Sequence, residues 1–389
     1  MTSAHKPVYL FIVPFFPSEN RHWGSYIYDQ VKAVQASGRY EVAVVRSSTD
    51  LDRDGDYEFG GVEIRRFRER NLYSALWDGF FDKSNCRNLD DCLDKNHISL
   101  SRIAVVHAHT IRTGIYAVHL KNRNPHILSI LQHHGYDVLG ITDGRFSKFE
   151  WHKRHAVKYG TDICNHIDLH VGVSKATLTY LHKYPGICVK DEYVLYNGVD
   201  TDKFHPLTKY PNNRFTIGCV ANFWKVKDHI TLIKAVECLV NEYSCDIRAK
   251  LIGTGATLEE CKTYVTSHNL SGYIEFLPHL AHGRMIEFYN SIDLFVLPSY
   301  WDTLGCVYLE SFACGVPFMT AEGTGVQELI PDNEKSLWIA PKSDYRRLAL
   351  MIKDYMDNLP AQHLSQSTDI KSLIWDFLDF IDAKLRQRL

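Results

Sequence analysis

No apolar run in this sequence reaches the length a bilayer-spanning helix needs, so no transmembrane segment is expected. The apolar stretch Val8 to Pro17 is too short. It also lacks a small-residue cleavage site and contains Pro14 and Pro17, so it reads as a first strand rather than a signal peptide. An excess of either charge is missing as well: a net charge of -2 gives no reason to expect nucleic acid as a partner. None of the 10 cysteines forms a Cys-x-x-Cys pair. Cys164, Cys219, Cys238 and Cys314 sit in apolar segments and read as reduced core thiols of a cytoplasmic protein. No His/Cys set completes Cys86 and Cys92 into a zinc site, and the 20 histidines read mostly as surface or packing residues. What is present is ordinary globular material. The 389 residues suffice for two cores, and the composition is 45% hydrophobic and 23% charged.

The chain is organised around Ile292 to Glu328. Asp293 to Leu297 is a buried-strand run stopped by Pro298. After a polar loop, Leu304 to Cys314 has helical spacing, with Leu304, Val307, Tyr308, Phe312 and Ala313 on one broad face, Gly315 as a cap and Pro317 as a stop. Val316 to Thr320 reads as a second strand, and a loop with Gly323 and Gly325 leads into a further helix near Val326. In a parallel sheet both loops lie at the carboxyl edge, where ligands bind and helix N-termini favour an anion.

Earlier segments repeat this alternation. Val8 to Val13, a helix over Tyr26 to Ser37 and Glu41 to Val45 make a βαβ opening, with Gly24 at the helix entrance. Ile103 to Ala108 ends at His107-Ala108-His109, and Ile127 to Leu131 ends at Gln132-His133-His134-Gly135. Leu169 to Val173 precedes Ser174-Lys175. Arg65 to Arg70 is basic, and Leu72, Tyr73, Leu76, Trp77, Phe80 and Phe81 follow it near helical spacing. That pattern fits an anionic bilayer surface or, more plainly, a solvated strand end beside core. Arg145, Lys148, Lys153 and Arg154 read as a solvent-facing helix. Asn197-Gly198-Val199-Asp200 supplies a turn, and Pro206 and Pro211 mark a linker, which places the domain boundary between Val199 and Asn213. Thr216 to Val220 opens a second α/β domain and is followed by Ala221 to Asp228, then a helix. Ala249 to Ile252, Tyr273 to Leu277 and Leu337 to Ala340 read as further strands, and Ile370 to Leu385 is amphipathic.

The set Pro298-Ser299, Asp302, Gly305, Glu310-Ser311-Phe312-Ala313-Cys314-Gly315-Val316-Pro317 and Thr324-Gly325-Val326-Gln327-Glu328 resembles the donor-site signature of retaining GT-B glycosyltransferases of family 4 (glycosyl transferases group 1). The family commonly has two Glu separated by seven residues; the spacing is kept here, but the first acid is Asp302. Thr324 replaces the first Gly of a pair. Asn197-Gly198-Val199-Asp200 with Phe204 and Pro206 resembles the family's interdomain segment, and the likeness covers nearly the whole chain.

The resemblance implies an α/β fold with two doubly wound Rossmann-like domains facing a cleft. They would be an acceptor domain over 1–199 and a nucleotide-sugar donor domain over 200–369, with a terminal helix over 370–389 crossing back to the first. It implies a retaining, metal-independent transferase with no cofactor, a UDP- or GDP-type sugar as donor, and a glycan or lipid-linked acceptor of surface-polysaccharide assembly. The location would be cytoplasmic, with peripheral contact at the inner membrane face as an option. His134 would face the donor sugar, with His109 a weaker candidate on the same edge. Lys227 would take the diphosphate with Asn222, which stands where relatives carry Arg, and Gly24 would approach it by its backbone. Asp302 and the backbone of Leu304, Gly305 and Cys306 would hold the sugar, and Glu310 the ribose hydroxyls. His134, Asp302 and Lys227 are the catalytic candidates. Plainer readings stay open: a loop Gly24, a His134 held by backbone, and a solvated Lys227 with Lys225 as rival. A sugar-nucleotide epimerase of this fold and a non-catalytic binding relative are the other function classes.

Overall fold

The computed structural model describes residues 6–19, 23–49, 55–71, 78–138, 149–208 and 213–388. Leu72, Tyr73, Leu76, Trp77, Arg145, Lys148 and Pro211 lie outside them. The chain divides into two compact units, Met1–Tyr196 with Ile370–Leu389, and Asn197–Asp369.

In the first unit the strands are β1 (Val8–Val13), β2 (Glu41–Ser48), β3 (Tyr57–Phe59), β4 (Val62–Arg68), β5 (Ile103–His109), β6 (Leu128–His133), β7 (Leu169–Gly172) and β8 (Glu192–Val194). Their spatial order is β3-β4-β2-β1-β5-β6-β7-β8. Among the described residues only the β3–β4 pair is antiparallel. Every residue of β1 is buried, because helices cover both faces of a parallel sheet. Tyr9, Phe11 and Val13 pack with Ile27, Val31 and Val34 of helix Ser25–Ser37 and with Ile374, Phe377 and Ile381 of helix Ile370–Arg386. Val8, Leu10 and Ile12 pack on the other face with Leu89, Leu93, Tyr116, Ala117 and Ile163. Each such aliphatic or aromatic burial contributes roughly 1.5–3 kcal/mol.

β6 runs two residues past the apolar run that predicts it, so Gln132 and His133 are strand residues with fully buried side chains. Ser174 caps helix Lys175–Leu181 by accepting from the Thr177 N–H. The basic run lies largely on β4, where Arg65 pairs with Glu63 and Asp56, and Arg66 donates to Gly55 O. Those internal partners weaken the anionic-surface reading. Lys153 pairs with Glu150 on helix Glu150–Cys164, in line with a solvent-facing helix.

In the second unit β9 (Phe215–Val220), β10 (Ile247–Ile252), β11 (Ile274–Leu277), β12 (Leu294–Leu297), β13 (Phe318–Ala321) and β14 (Ile339–Ala340) form a parallel sheet in the order β11-β10-β9-β12-β13-β14. The order reverses between β9 and β12, the switch point at which open α/β sheets bind ligands. Asn197 belongs to this unit, and Val199 N–H donates to Thr368 O at 2.8 Å. Two expected elements are shorter than their sequence patterns. The helix expected over Leu304 to Cys314 is Cys306–Ala313, with Gly315 just beyond it at φ 76°, the left-handed geometry glycine tolerates. The helix expected near Val326 is a 3₁₀ turn, Gly325–Leu329.

Candidate active site

The loops after β9 and β12 meet at the switch point. Ala221 to Asp228 leaves β9 and closes in a 3₁₀ turn, Lys225–Lys227, before helix His229–Asn241. Gly253 and Gly255 support this loop from the end of β10. A Cβ at Gly253 would lie 2.0 Å from Ala221 O, and one at Gly255 2.6 Å from Phe223 O, so only glycine permits the approach. Lys227 Nζ lies 2.6 Å from Asp302 Oδ2, with both side chains largely buried. Asn222 and Lys225 are exposed. Of the two rival lysines, Lys227 is therefore the one turned into the site.

The Asp302 loop is tied on both sides. Tyr300 N–H and Ser299 Oγ donate to Val226 O at 3.1 and 3.0 Å. Gly325 N–H donates to Asp302 O at 2.8 Å, beside an isolated bridge from Asp302 to Thr324. Thr324 has an extended backbone at φ -99°, and its hydroxyl bonds to Thr320 Oγ1 at 2.9 Å. The residue that departs from the glycine pair is thus a buried hydrogen-bonding link in a geometry a β-branched residue adopts readily.

Gly305 caps the helix Cys306–Ala313, and a Cβ there would stand 3.0 Å from Asp302 Oδ2. The Asp302 carboxylate therefore lies by the start of a helix, where the backbone dipoles favour negative charge. Leu304 O accepts from Asn197 Nδ2 at 2.9 Å, and Cys306, first residue of the helix, is half-buried. Glu310 Oε2 accepts from the fully buried Tyr289 hydroxyl at 2.7 Å. Burial, then the nearby Glu310 charge, hold that phenol well above its usual range, so it stays a donor.

In the first unit, Gly24 opens helix Ser25–Ser37 at φ 89°, and its carbonyl accepts from Ile27 and Tyr28 N–H at 2.9 and 3.1 Å. Tyr26 on that helix packs against His134, ring centres 4.8 Å apart. His134 Nε2 is 2.9 Å from His109 Nδ1. His109 stacks on His107 at 4.7 Å, and His107 Nδ1 is 2.8 Å from the Tyr9 hydroxyl. Burial pushes His107 down to about 3, His134 to about 4 and His109 well below its ordinary value. All three are neutral near pH 7. His109 is fully buried on a strand, and His134 stands between it and the edge loop as its ring partner.

Lys227, Asp302 and Gly305 thus come together, with Asn222 exposed on the loop that carries Lys227. Gly24 and His134 belong to the first unit, both near Tyr26. Asn197 and Tyr289 are partners that sequence reasoning missed. Asn197 was legible as a turn residue, whereas nothing near Tyr289 distinguishes it from core. Asp200-Thr201-Asp202 has the Asp-x-Asp pattern, but Asp200 Oδ1 accepts the Asp202 N–H and Asp200 O starts a turn to Lys203 and Phe204. Among the described residues no three His, Cys, Asp or Glu side chains converge as a metal site, and no helix is long and apolar enough to cross a membrane.

The fold and the tied loops define a two-sheet α/β glycosyltransferase of the GT-B class, and comparison with known proteins agrees. Residues 24–203 match the family described as Glycosyltransferase Family 4 and residues 200–367 match Glycosyl transferases group 1. The chain belongs to this group 1, family 4 set of glycosyltransferases. It is 27% identical over 270 residues to an uncharacterized glycosyltransferase of Methanocaldococcus jannaschii, covering 68% of this chain and 69% of that protein. It is 25% identical over 273 residues to the Escherichia coli UDP-Gal:alpha-D-GlcNAc-diphosphoundecaprenol alpha-1,3-galactosyltransferase, covering 63% and 66%. The Anabaena HepE structure in complex with UDP shares the fold at a TM-score of 0.70 and 15% identity, over 97% of this chain and 100% of that one.

Proposed function

We propose that the chain is a retaining, metal-independent glycosyltransferase. It moves a sugar from a UDP- or GDP-type donor to a glycan or lipid-linked acceptor of polysaccharide assembly on the cytoplasmic side. The observation that carries this reading is the Lys227–Asp302 pair beside the Gly305 helix start, at the point where the strand order of the second sheet reverses. Lys227, Asn222 and backbone N–H groups take the diphosphate and stabilise the charge that grows on it as the anomeric bond breaks. Asp302 and the Leu304 to Cys306 backbone hold the sugar, and Glu310, oriented by Tyr289, holds the ribose. The leaving phosphate accepts the acceptor hydroxyl's proton on the same face, so no enzymic nucleophile is assigned. The acceptor class is taken from the undecaprenol-linked substrate in the name of the Escherichia coli relative and from a capsular polysaccharide glycosyltransferase of Staphylococcus aureus, 25% identical over 171 residues.

The test is incubation of the chain with UDP- and GDP-sugars, with and without undecaprenyl-diphosphate-linked sugars, in EDTA. The anomeric configuration of the product is read by NMR. Transfer with retention in EDTA supports the reading. Inversion, or transfer only after Mg²⁺ is restored, overturns its retaining or metal-independent part. Sugar isomerisation would mark an epimerase, and binding alone a non-catalytic relative. Sedimentation with anionic vesicles tests peripheral membrane contact separately.

A further inference from the structure

The face of the first sheet opposite the His107–His109 row carries a second buried histidine pair. His133, on β6, and His170, on β7, are both fully buried and stack at 5.3 Å with planes 11° apart. His133 Nε2 is 3.0 Å from His170 Nδ1. His133 Nδ1 is 3.1 Å from Asp137 Oδ2, and His170 Nε2 is 3.1 Å from Cys164 O. The other carboxylate oxygen, Asp137 Oδ1, accepts the backbone N–H groups of His134 and Gly135, each at 3.1 Å. The Asp137 side chain is 8% exposed, and Gly135 turns the chain at φ 96°.

A proton count follows from these contacts. The Cys164 carbonyl can only accept, so His170 Nε2 carries a proton. The His133–His170 bond needs a second proton and the His133–Asp137 bond a third. Two neutral imidazoles supply two protons between them. The third belongs to the Asp137–His133 link, and the three groups together are neutral. Burial pushes the Asp137 carboxyl up, but its bond to His133, the His133 and His134 charges and the backbone N–H hold it below its ordinary value overall. The carboxyl is therefore ionised and the imidazole pair holds the extra proton. Burial brings His170 down to about 3. The other titratable groups around the unit are His134, Cys164, His182 and Tyr184. Tyr184 hydroxyl donates to Asp137 O at 3.1 Å.

We propose that Asp137 is a positioning residue, joined to His133 and His170 in a buried unit that stores one proton and fixes the His134–Gly135 turn at the carboxyl edge. Its relevance to transfer rests on the proposed glycosyltransferase reading, in which the family resemblance implies that His134 faces the donor sugar; the proton count does not. A carboxylate that accepts from a buried ring on one side and from two backbone N–H groups on the other couples strand interior to edge loop. A lone backbone turn with Gly135 would leave those N–H groups to be satisfied elsewhere.

The test uses the full chain with ¹⁵N-labelled histidine. At pH 7 the parent protein shows one ring of the pair with both nitrogens protonated. In Asp137→Asn the amide donates to His133 Nδ1 while its oxygen still accepts from the turn. Both rings become neutral and the His134 and Gly135 amides keep their protection from exchange. In Asp137→Ala those two amides exchange about tenfold faster or more, the effect of losing a bond of about 1.4 kcal/mol. Two neutral rings beside an ionised Asp137 carboxyl, read from its ¹³C shift, overturn the stored proton. Unchanged amides in Asp137→Ala overturn the positioning role. If Asp137→Ala does not fold, Asp137→Asn decides: an imidazolium pattern that persists in it refutes the proposal. A parent chain that fails to transfer sugar in a separate assay sinks the donor reading and leaves this result intact.

Discussion

Lys227 Nζ stands 2.6 Å from Asp302 Oδ2, with the two side chains only 21% and 14% exposed. The residues assigned to two different parts of a donor, the diphosphate and the sugar, are thus direct partners. A phosphate that takes Lys227 competes with Asp302 for the same ammonium. Seven residues separate Asp302 from Glu310, the usual family spacing, but the acid is one methylene shorter. It reaches its partner because Val226 O on one side and Gly325 N–H on the other hold the loop in place.

Asp302→Asn should therefore separate binding from turnover. Releasing Lys227 keeps or tightens UDP affinity, measured by calorimetry. Transfer falls by about one to two decades, since a charge-assisted bond of about 1.5–3 kcal/mol is lost in the transition state. Asp302→Glu does not restore the rate, because the longer acid has no room in a loop tied at both ends. Full turnover in Asp302→Asn would make this position a spectator.

Lys227→Ala should weaken UDP binding by about one to two decades. It should also cost about 1–3 kcal/mol of folding stability, because a largely buried carboxylate loses its partner. The double variant Lys227→Ala/Asp302→Ala should recover part of that stability in a urea titration, the signature of a coupled pair. Strict additivity would show that the two groups do not interact in solution.

Glu310→Ala should abolish the preference for UDP over 2′,3′-dideoxy-UDP, while Tyr289→Phe reduces it only in part. The hydroxyl of Tyr289 contributes by aiming one carboxylate oxygen, a bond to a charged group worth about 1.5–3 kcal/mol. If the variant discriminates as well as the parent, the ribose lies elsewhere.

The first unit should lose stability on acidification below pH 6.5. His107 and His134 have folded values of about 3 and about 4, and His109 lies well below 6.5, all held down first by burial. Between those values and 6.5 the unfolded chain binds more protons than the folded one, so stability rises with pH and falls as acid is added. Urea midpoints from pH 7 to 5 read this directly, and His107→Phe should flatten the slope. A midpoint indifferent to pH in that window would mean the rings are solvated.

Much of this protein is legible in one dimension. The strand runs Val8 to Val13 and Thr216 to Val220, and Gly315 after its helix, follow from apolar patterning and backbone sterics, which are local. The Asp302, Glu310 and Lys227 positions are marked by their resemblance to the family motif; Asp302 and Lys227 follow strands, and Glu310 lies on the helix Cys306–Ala313. The pattern near Val326 predicts a helix, but Gly325 N–H is bound to Asp302 O and only a 3₁₀ turn forms. That choice depends on a neighbouring loop twenty-three residues upstream.

What sequence alone determined is the alternation of strands and helices and the two-sheet class, since these depend on periodicity. Only tertiary structure decided the pairings. Lys227 meets Asp302, Tyr289 meets Glu310 and His133 meets His170 across separations of 75, 21 and 37 residues. Each of those side chains is compatible with several environments. A hydrogen bond forms only where folding has fixed both donor and acceptor, and sequence spacing carries no information on that distance.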